Sequence, residues 1–164
     1  MKTVNKSVLI WYSASQMFDL VTDVPSYPKF LPWCDQAQVL PSDISSKAGT
    51  DSIVANQITA QVGISFGAVR QSFTTRNTHN IDAKGEHTVH LQLVQGPFSA
   101  LQGAWHFIPV GSAAQNACRV ELQLSYDFDS ATLAALVGPV FDKIASSLVD
   151  AFVKRAEQVY GATV

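Results

Sequence analysis

An apolar stripe runs unbroken along the last thirty-odd residues of this chain. Between residues 131 and 160, Leu133, Val137, Val140, Phe141, Ile144, Leu148, Phe152, Ala156 and Val159 recur at three- and four-residue steps. Asp142, Lys143, Ser146, Asp150, Lys154, Arg155 and Glu157 fall on the other side. This periodicity predicts an amphipathic helix with one wide apolar face. At about 1.5 Å per residue it would be roughly 45 Å long, more than the width of a small domain. Such a helix must lie across a sheet, a membrane surface or a partner, and the residues before it decide which.

Those residues read mostly as strands. Residues 3–12 alternate, with Val4, Val8, Ile10 and Tyr12 sharing one parity. Ser13-Ala-Ser-Gln16 has the form of a capping box and opens a short helix through Met17, Phe18, Leu20 and Val21, which ends before Pro25. Three prolines among large apolar side chains at residues 24–34 exclude a central strand and a long helix, leaving one short helical turn packed on the domain. Strands are predicted at 36–40, 53–64, 66–77, 87–94, 101–108 and 118–128, with a turn around 42–49 and a loose loop at 111–116. Apolar parity switches between Phe66/Ala68 and Val69/Phe73, which predicts a bulge or bend. Gly138-Pro139 predicts a kink in the terminal helix, or a lead-in turn at 130–138 with the rod starting at Pro139.

Consecutive strands joined by short turns imply an antiparallel meander whose apolar face needs a cover. Only the terminal helix is long enough. The expected fold is therefore α+β: a curved antiparallel sheet of about seven strands wrapped around a long C-terminal helix, with two short helices after the first strand. The membrane and partner-helix alternatives lose their motive.

Composition narrows the function classes. A length of 164 residues suits a single domain with one core. Charged residues are 15%, against about 25% on average, as expected where much surface faces inward. A net charge of -2 gives no footprint for DNA, and the mixed signs on the helix disfavour a basic membrane-surface element. Cys34 and Cys118 read as reduced, half-buried thiols, with a disulfide as the other reading. No charged-then-apolar leader opens the sequence, so a cytoplasmic bacterial protein is expected, at most peripheral at the inner membrane.

Several blocks resemble one family in its own order. They are Tyr27-Pro-Lys-Phe-Leu-Pro-Trp-Cys34, Phe73-Thr-Thr-Arg-Asn77, Gly96-Pro-Phe98 with Leu101, Gly103-x-Trp105-x-Phe107-x-Pro109, and Ala151-Phe152-x-x-Arg155-Ala156. Together they are similar to the coenzyme Q-binding START-domain family of the polyketide cyclase–lipid transport superfamily, whose bacterial members include the ribosome association toxin A type. The resemblance implies a helix-grip fold with a hydrophobic tunnel between sheet and helix. It implies binding of ubiquinone in support of respiration or, for toxin-type members, binding of the large ribosomal subunit that blocks subunit joining. Tyr126-Asp127-Phe128 departs from the Phe-Glu-Phe of many relatives, and Gly63-Ile-Ser-Phe-Gly-Ala-Val69 is more apolar than in the toxin type, which favours lipid.

The candidate tunnel residues are Phe30, Leu31, Trp33, Phe66 and Phe73 from the first half, and Leu91, Leu93, Phe98, Trp105, Phe107 and Leu124 from the later strands. Phe141, Ile144, Leu148 and Phe152 come from the helix. An apolar, aromatic lining with few polar groups suits a prenylated quinone or a related lipid. Candidate polar contacts to its headgroup are Lys29, Arg76 and Tyr126, with a solvated turn charge and a sheet-surface ion pair as the structural readings of the first two. His79, His87, His90 and His106 read as solvent-facing strand residues; His87 and His90 point to opposite faces and cannot share a metal. No phosphate loop, serine elbow or paired-cysteine motif occurs, so neither a catalytic set nor a cofactor is expected. Aromatic polyketide cyclisation, which needs an acid or base in the cavity, with Asp23, Arg70, Arg76 and Tyr126 as the candidates, is a distant third reading.

Overall fold

Alternating side chains build one seven-stranded antiparallel sheet in the computed structural model, which describes residues 1–40, 57–111 and 116–161. The chain runs β1 (Lys2–Ile10), α1 (Ala14–Thr22), a 3-10 turn (Val24–Lys29), β2 (Cys34–Leu40), β3 (Gln57–Phe66), β4 (Val69–Ile81), β5 (His87–Gln95), β6 (Phe98–Pro109), β7 (Cys118–Phe128) and α2 (Ala131–Tyr160). The strand order is β1-β7-β6-β5-β4-β3-β2, so the first strand pairs with the last and the others form a meander. The sheet grips α2, as the uncovered apolar faces require. The predicted turn at 42–49, the start of the strand predicted at 53–64, and most of the loop at 111–116 lie outside the described residues.

Local signals account for the element ends. Ser13 Oγ accepts from Gln16 N at 3.1 Å while Gln16 Oε1 accepts from Ser13 N at 2.8 Å, which closes the capping box of α1. Ser130 Oγ accepts from Leu133 N at 3.1 Å and starts α2. From there α2 runs as one helix through Gly138-Pro139, so residues 131–138 are its first turns and the lead-in alternative is corrected. The cap at Ser130 already satisfies a free N–H, which leaves no reason to restart at the proline.

The bulge predicted near Phe66 is also corrected. Phe66 and Val69 face each other across Gly67-Ala68, and Gly67 has φ +60°. This is a two-residue hairpin turn with glycine first, as the type II′ geometry favours. Parity switched there because one strand ends and the next begins. An irregularity does occur in β4, between Thr74 and Thr75 opposite β5.

Val137, Phe141, Ile144, Ala145, Val149, Phe152 and Ala156 form the buried face of α2. By length and composition alone this helix would cross a bilayer, but that face is packed on the sheet. The core has two parts. One gathers around Trp105, Phe107, Val120, Met17 and Phe152; the other around Trp33, Phe98, Leu124, Tyr126 and Phe141. Tyr12 donates to the Gly161 carbonyl at 2.7 Å and Tyr160 to the Gln16 carbonyl at 3.0 Å, tying the end of α2 to the first helix.

Candidate functional site

The two halves of the core do not close on each other. A cavity of about 100 Å³ lies between them, bounded by α1, the 3-10 turn, Leu31 and Trp33, the inner faces of β3 to β7, and α2. Val89, Trp105, Leu122 and Phe152 contribute from one half; Val62, Leu101, Leu124, Phe141 and Ile144 contribute from the other. Leu148 packs against both. Among the described residues that line it, none is Asp, Glu, Lys or Arg.

One wall departs from this apolar character. On β4 the residues facing the cavity are Phe73, Thr75, Asn77 and His79, so three consecutive inward positions are polar. Thr75 and Asn77 are buried, and Thr75 Oγ1 donates to Asn77 Oδ1 at 2.7 Å. His79 Nε2 is buried without a hydrogen-bond partner among the described residues. Desolvation pulls the His79 pKa below that of a free imidazole, so the ring is neutral near pH 7. Phe18 of α1 packs edge-on against that ring at 5.4 Å, and Val21, Thr22 and Val24 line the cavity, so this polar wall runs toward α1 and the 3-10 turn. Tyr27 also lines the cavity, but its hydroxyl donates to the Val21 carbonyl; burial, with Cys34 and Asp23 nearby, raises its pKa.

Of the candidate tunnel residues, Leu31, Trp33, Phe73, Leu91, Trp105, Leu124, Phe141, Ile144, Leu148 and Phe152 line this space. Five do not. Phe98 and Phe107 are buried within the flanking core, and Leu93 packs against one half of it. Phe30 packs on Tyr27 and Phe152, with the Arg155 guanidinium 5.0 Å from its ring. Phe66 shares the inward parity of Ile64 but is 46% exposed at the hairpin tip, with Lys143 Nζ 5.9 Å from its ring. It sits at the last position of β3, where the Lys143 side chain of α2 covers it only in part.

None of the three candidate headgroup contacts lines the cavity, and Lys29 and Arg76 take the alternative positions, on a turn and on the sheet surface. Lys29 ends the 3-10 turn and is exposed outside the cavity. Arg76 has the opposite parity to Thr75 and Asn77 and lies between Thr59 and Gln92 on the outer face of the sheet. Tyr126 is buried outside the cavity, and its hydroxyl is engaged by Asp142 Oδ1 at 2.5 Å. The histidine reading fails at His79, as above, and at His87, whose ring lies 4.7 Å from Phe18. His90 is exposed as expected, and His106 Nδ1 lies 3.4 Å from Glu86. Among the described residues no three His, Cys, Asp or Glu side chains gather as a metal site. Sequence reasoning missed Thr75, Asn77 and His79 because it sought apolar lining. Their common parity with Phe73 was the available signal.

Residues 10–153 match the family described as Polyketide cyclase / dehydrase and lipid transport. The Ribosome association toxin RatA of Pseudomonas aeruginosa is 37% identical over 158 residues, 96% of this chain and 97% of that protein. The Coenzyme Q-binding protein COQ10 homolog B, mitochondrial, of Xenopus laevis is 28% identical over 158 residues, 96% of this chain and 59% of that one. The solved structure of the 18 kDa protein CC1736 from Caulobacter crescentus has 30% identity and a TM-score of 0.69, covering 99% of this chain and 100% of that one.

Proposed function

Since the chain belongs to the polyketide cyclase / dehydrase and lipid transport family, with relatives of the RatA type, we propose that it binds a hydrophobic ligand of the prenylated-quinone class without transforming it. The cavity carries this reading: an interior space between sheet and helix, walled mostly by apolar and aromatic groups, with no ionic side chain among the described residues that line it. Burying a methylene contributes about 0.8 kcal/mol, so a few isoprene units would suffice for useful affinity. The name of the Xenopus relative adds support for a quinone. Binding without chemistry is preferred because His79, the titratable imidazole on the wall, has no carboxylate beside it among the described lining residues to make it a strong base. The protein would act in the cytoplasm, reaching the inner membrane only transiently to exchange ligand. Organic extraction of purified protein, followed by mass spectrometry, should return a quinone or lipid. Protein repeatedly free of both, and unable to take up added quinone, would end this reading.

A second reading is binding to the large ribosomal subunit, favoured by RatA-named relatives that match over nearly their whole length. Added protein should then shift sucrose-gradient profiles from joined ribosomes toward free subunits. An unchanged profile counts against it. The two activities are compatible, because one uses the interior and the other the surface.

A further inference from the structure

The polar wall restricts what the cavity accepts. Asn77 and His79 stand two positions apart on the same face of β4, with Thr75 beside them. The Thr75 hydroxyl satisfies one atom of the Asn77 amide at 2.7 Å. Whichever way that amide is turned, the Thr75 contact occupies only one of its two polar atoms, and the amide lines the cavity. His79 Nε2 has no partner among the described residues. An unmet buried group such as His79 Nε2 costs on the order of 1–3 kcal/mol, and a ligand that meets it recovers that cost. Meanwhile no Lys or Arg is among the described residues that line the space, so an ionised carboxylate or phosphate would be desolvated there without a counter-charge from them.

We infer that Asn77 and His79 form a polar anchor selecting an uncharged apolar ligand that bears a hydrogen-bonding oxygen, a ketone, quinone or alcohol, over anionic lipids and plain hydrocarbons. This rests on the hydrophobic-ligand reading above and makes it more specific. A neutral imidazole offers an N–H to a carbonyl oxygen or accepts from a hydroxyl, and a primary amide can do either, so the pair fits both oxygen types. The anchor lies toward α1 and the 3-10 turn, where Phe18, Val21, Thr22 and Val24 gather, and the ligand's apolar part extends along Trp105, Leu124 and Phe141.

Binding of three probes of matched length tests this: a decyl-substituted benzoquinone, decylbenzene and decanoate. Trp33 and Trp105 line the cavity and report entry by fluorescence, checked by calorimetry. Wild type should bind the quinone about ten-fold more tightly than decylbenzene, as one or two recovered hydrogen bonds allow, and decanoate most weakly. Asn77→Leu combined with His79→Phe should shrink the quinone preference to about two-fold or less while leaving decylbenzene binding intact, which also reports on folding. His79→Gln should restore part of it. Equal binding of quinone and decylbenzene by wild type, an undiminished preference in the double variant, or tight decanoate binding would overturn the anchor while leaving the hydrophobic-ligand reading standing. Failure of every probe to bind wild type would remove both.

Discussion

Asp142 sits on α2 where β7 and β1 come closest to it, accepting from the Tyr126 hydroxyl at 2.5 Å and from Lys2 Nζ at 2.5 Å. Partial desolvation raises its pKa, but the bonds from Lys2 and Tyr126 outweigh this and hold the carboxyl below the usual aspartate range. A depressed folded-state pKa gives stability that is present above the unfolded pKa and lost as pH falls through the folded value. Asp142→Asn should therefore cost about 1 kcal/mol near neutral pH, discounted for the exposure of Lys2 and Asp142, and about nothing near pH 2. Urea unfolding at the two pH values measures this; an equal loss at both would show that the charge plays no part. At the cysteines burial dominates. It raises Cys118 to about 11 and, with Asp35 beside it, Cys34 to about 11, and both thiols are free. Little thiolate then exists near neutral pH, so iodoacetamide should modify both far more slowly in folded than in urea-unfolded protein. Rapid native labelling of Cys34 would contradict the packing around it.

The elements were legible to the degree that their faces differ. β7 alternates Val120, Leu122, Leu124 and Tyr126 inward against Arg119, Glu121, Gln123 and Ser125 outward, and α2 repeats its buried side chains at helical steps. Two chemically distinct faces leave one solution for register. β4 was harder to read, because Thr75, Asn77 and His79 face inward and resemble the Thr74, Arg76 and Thr78 positions between them. With polar residues on both faces, periodicity carries little signal, and only pairing with β3 and β5 fixes which face is which. Periodicity therefore leaves both readings of Arg76 open, headgroup contact and sheet surface, and the pairing selects the surface. Phe66 shows another limit: parity gives the face of a residue but not how fully the helix covers it. Close packing within the sheet is testable at Gly103, where an added Cβ would lie 2.5 Å from the Gln123 carbonyl and 2.9 Å from Leu124 Cδ1. Gly103→Ala should force β6 and β7 apart and destabilise by about 1–3 kcal/mol, read from the urea midpoint. A neutral outcome would mean that the strands separate freely there.

On the scale of the whole molecule, the cavity is smaller than its proposed cargo. Pockets that hold drug-sized ligands typically measure about 300–1,000 Å³, and this one is about 100 Å³. A quinone ring with even a short tail can enter only if core side chains move. The fold offers a seam for that movement, since the cavity already separates the two halves of the core and Leu148 touches both. Leu148→Ala would remove one of the side chains that bridge this seam, Tyr27 and Phe30 being the others. Without ligand it should cost about 2–3 kcal/mol, toward the low end for leucine truncation because Leu148 is only partly buried. With ligand, part of the vacated space is filled, so the variant should gain more from binding than wild type does. At a hundred-fold excess over Kd, a ligand that binds only the folded state adds about 2.7 kcal/mol. For a chain of this length that corresponds to a rise in Tm of roughly 5–10 °C. Thermal unfolding of both proteins, with and without the decyl-substituted benzoquinone at one fixed concentration, compares the two shifts. A larger shift for Leu148→Ala means that opening the core limits uptake. A smaller one means that Leu148 itself holds the ligand and that the cavity admits it without parting at this seam.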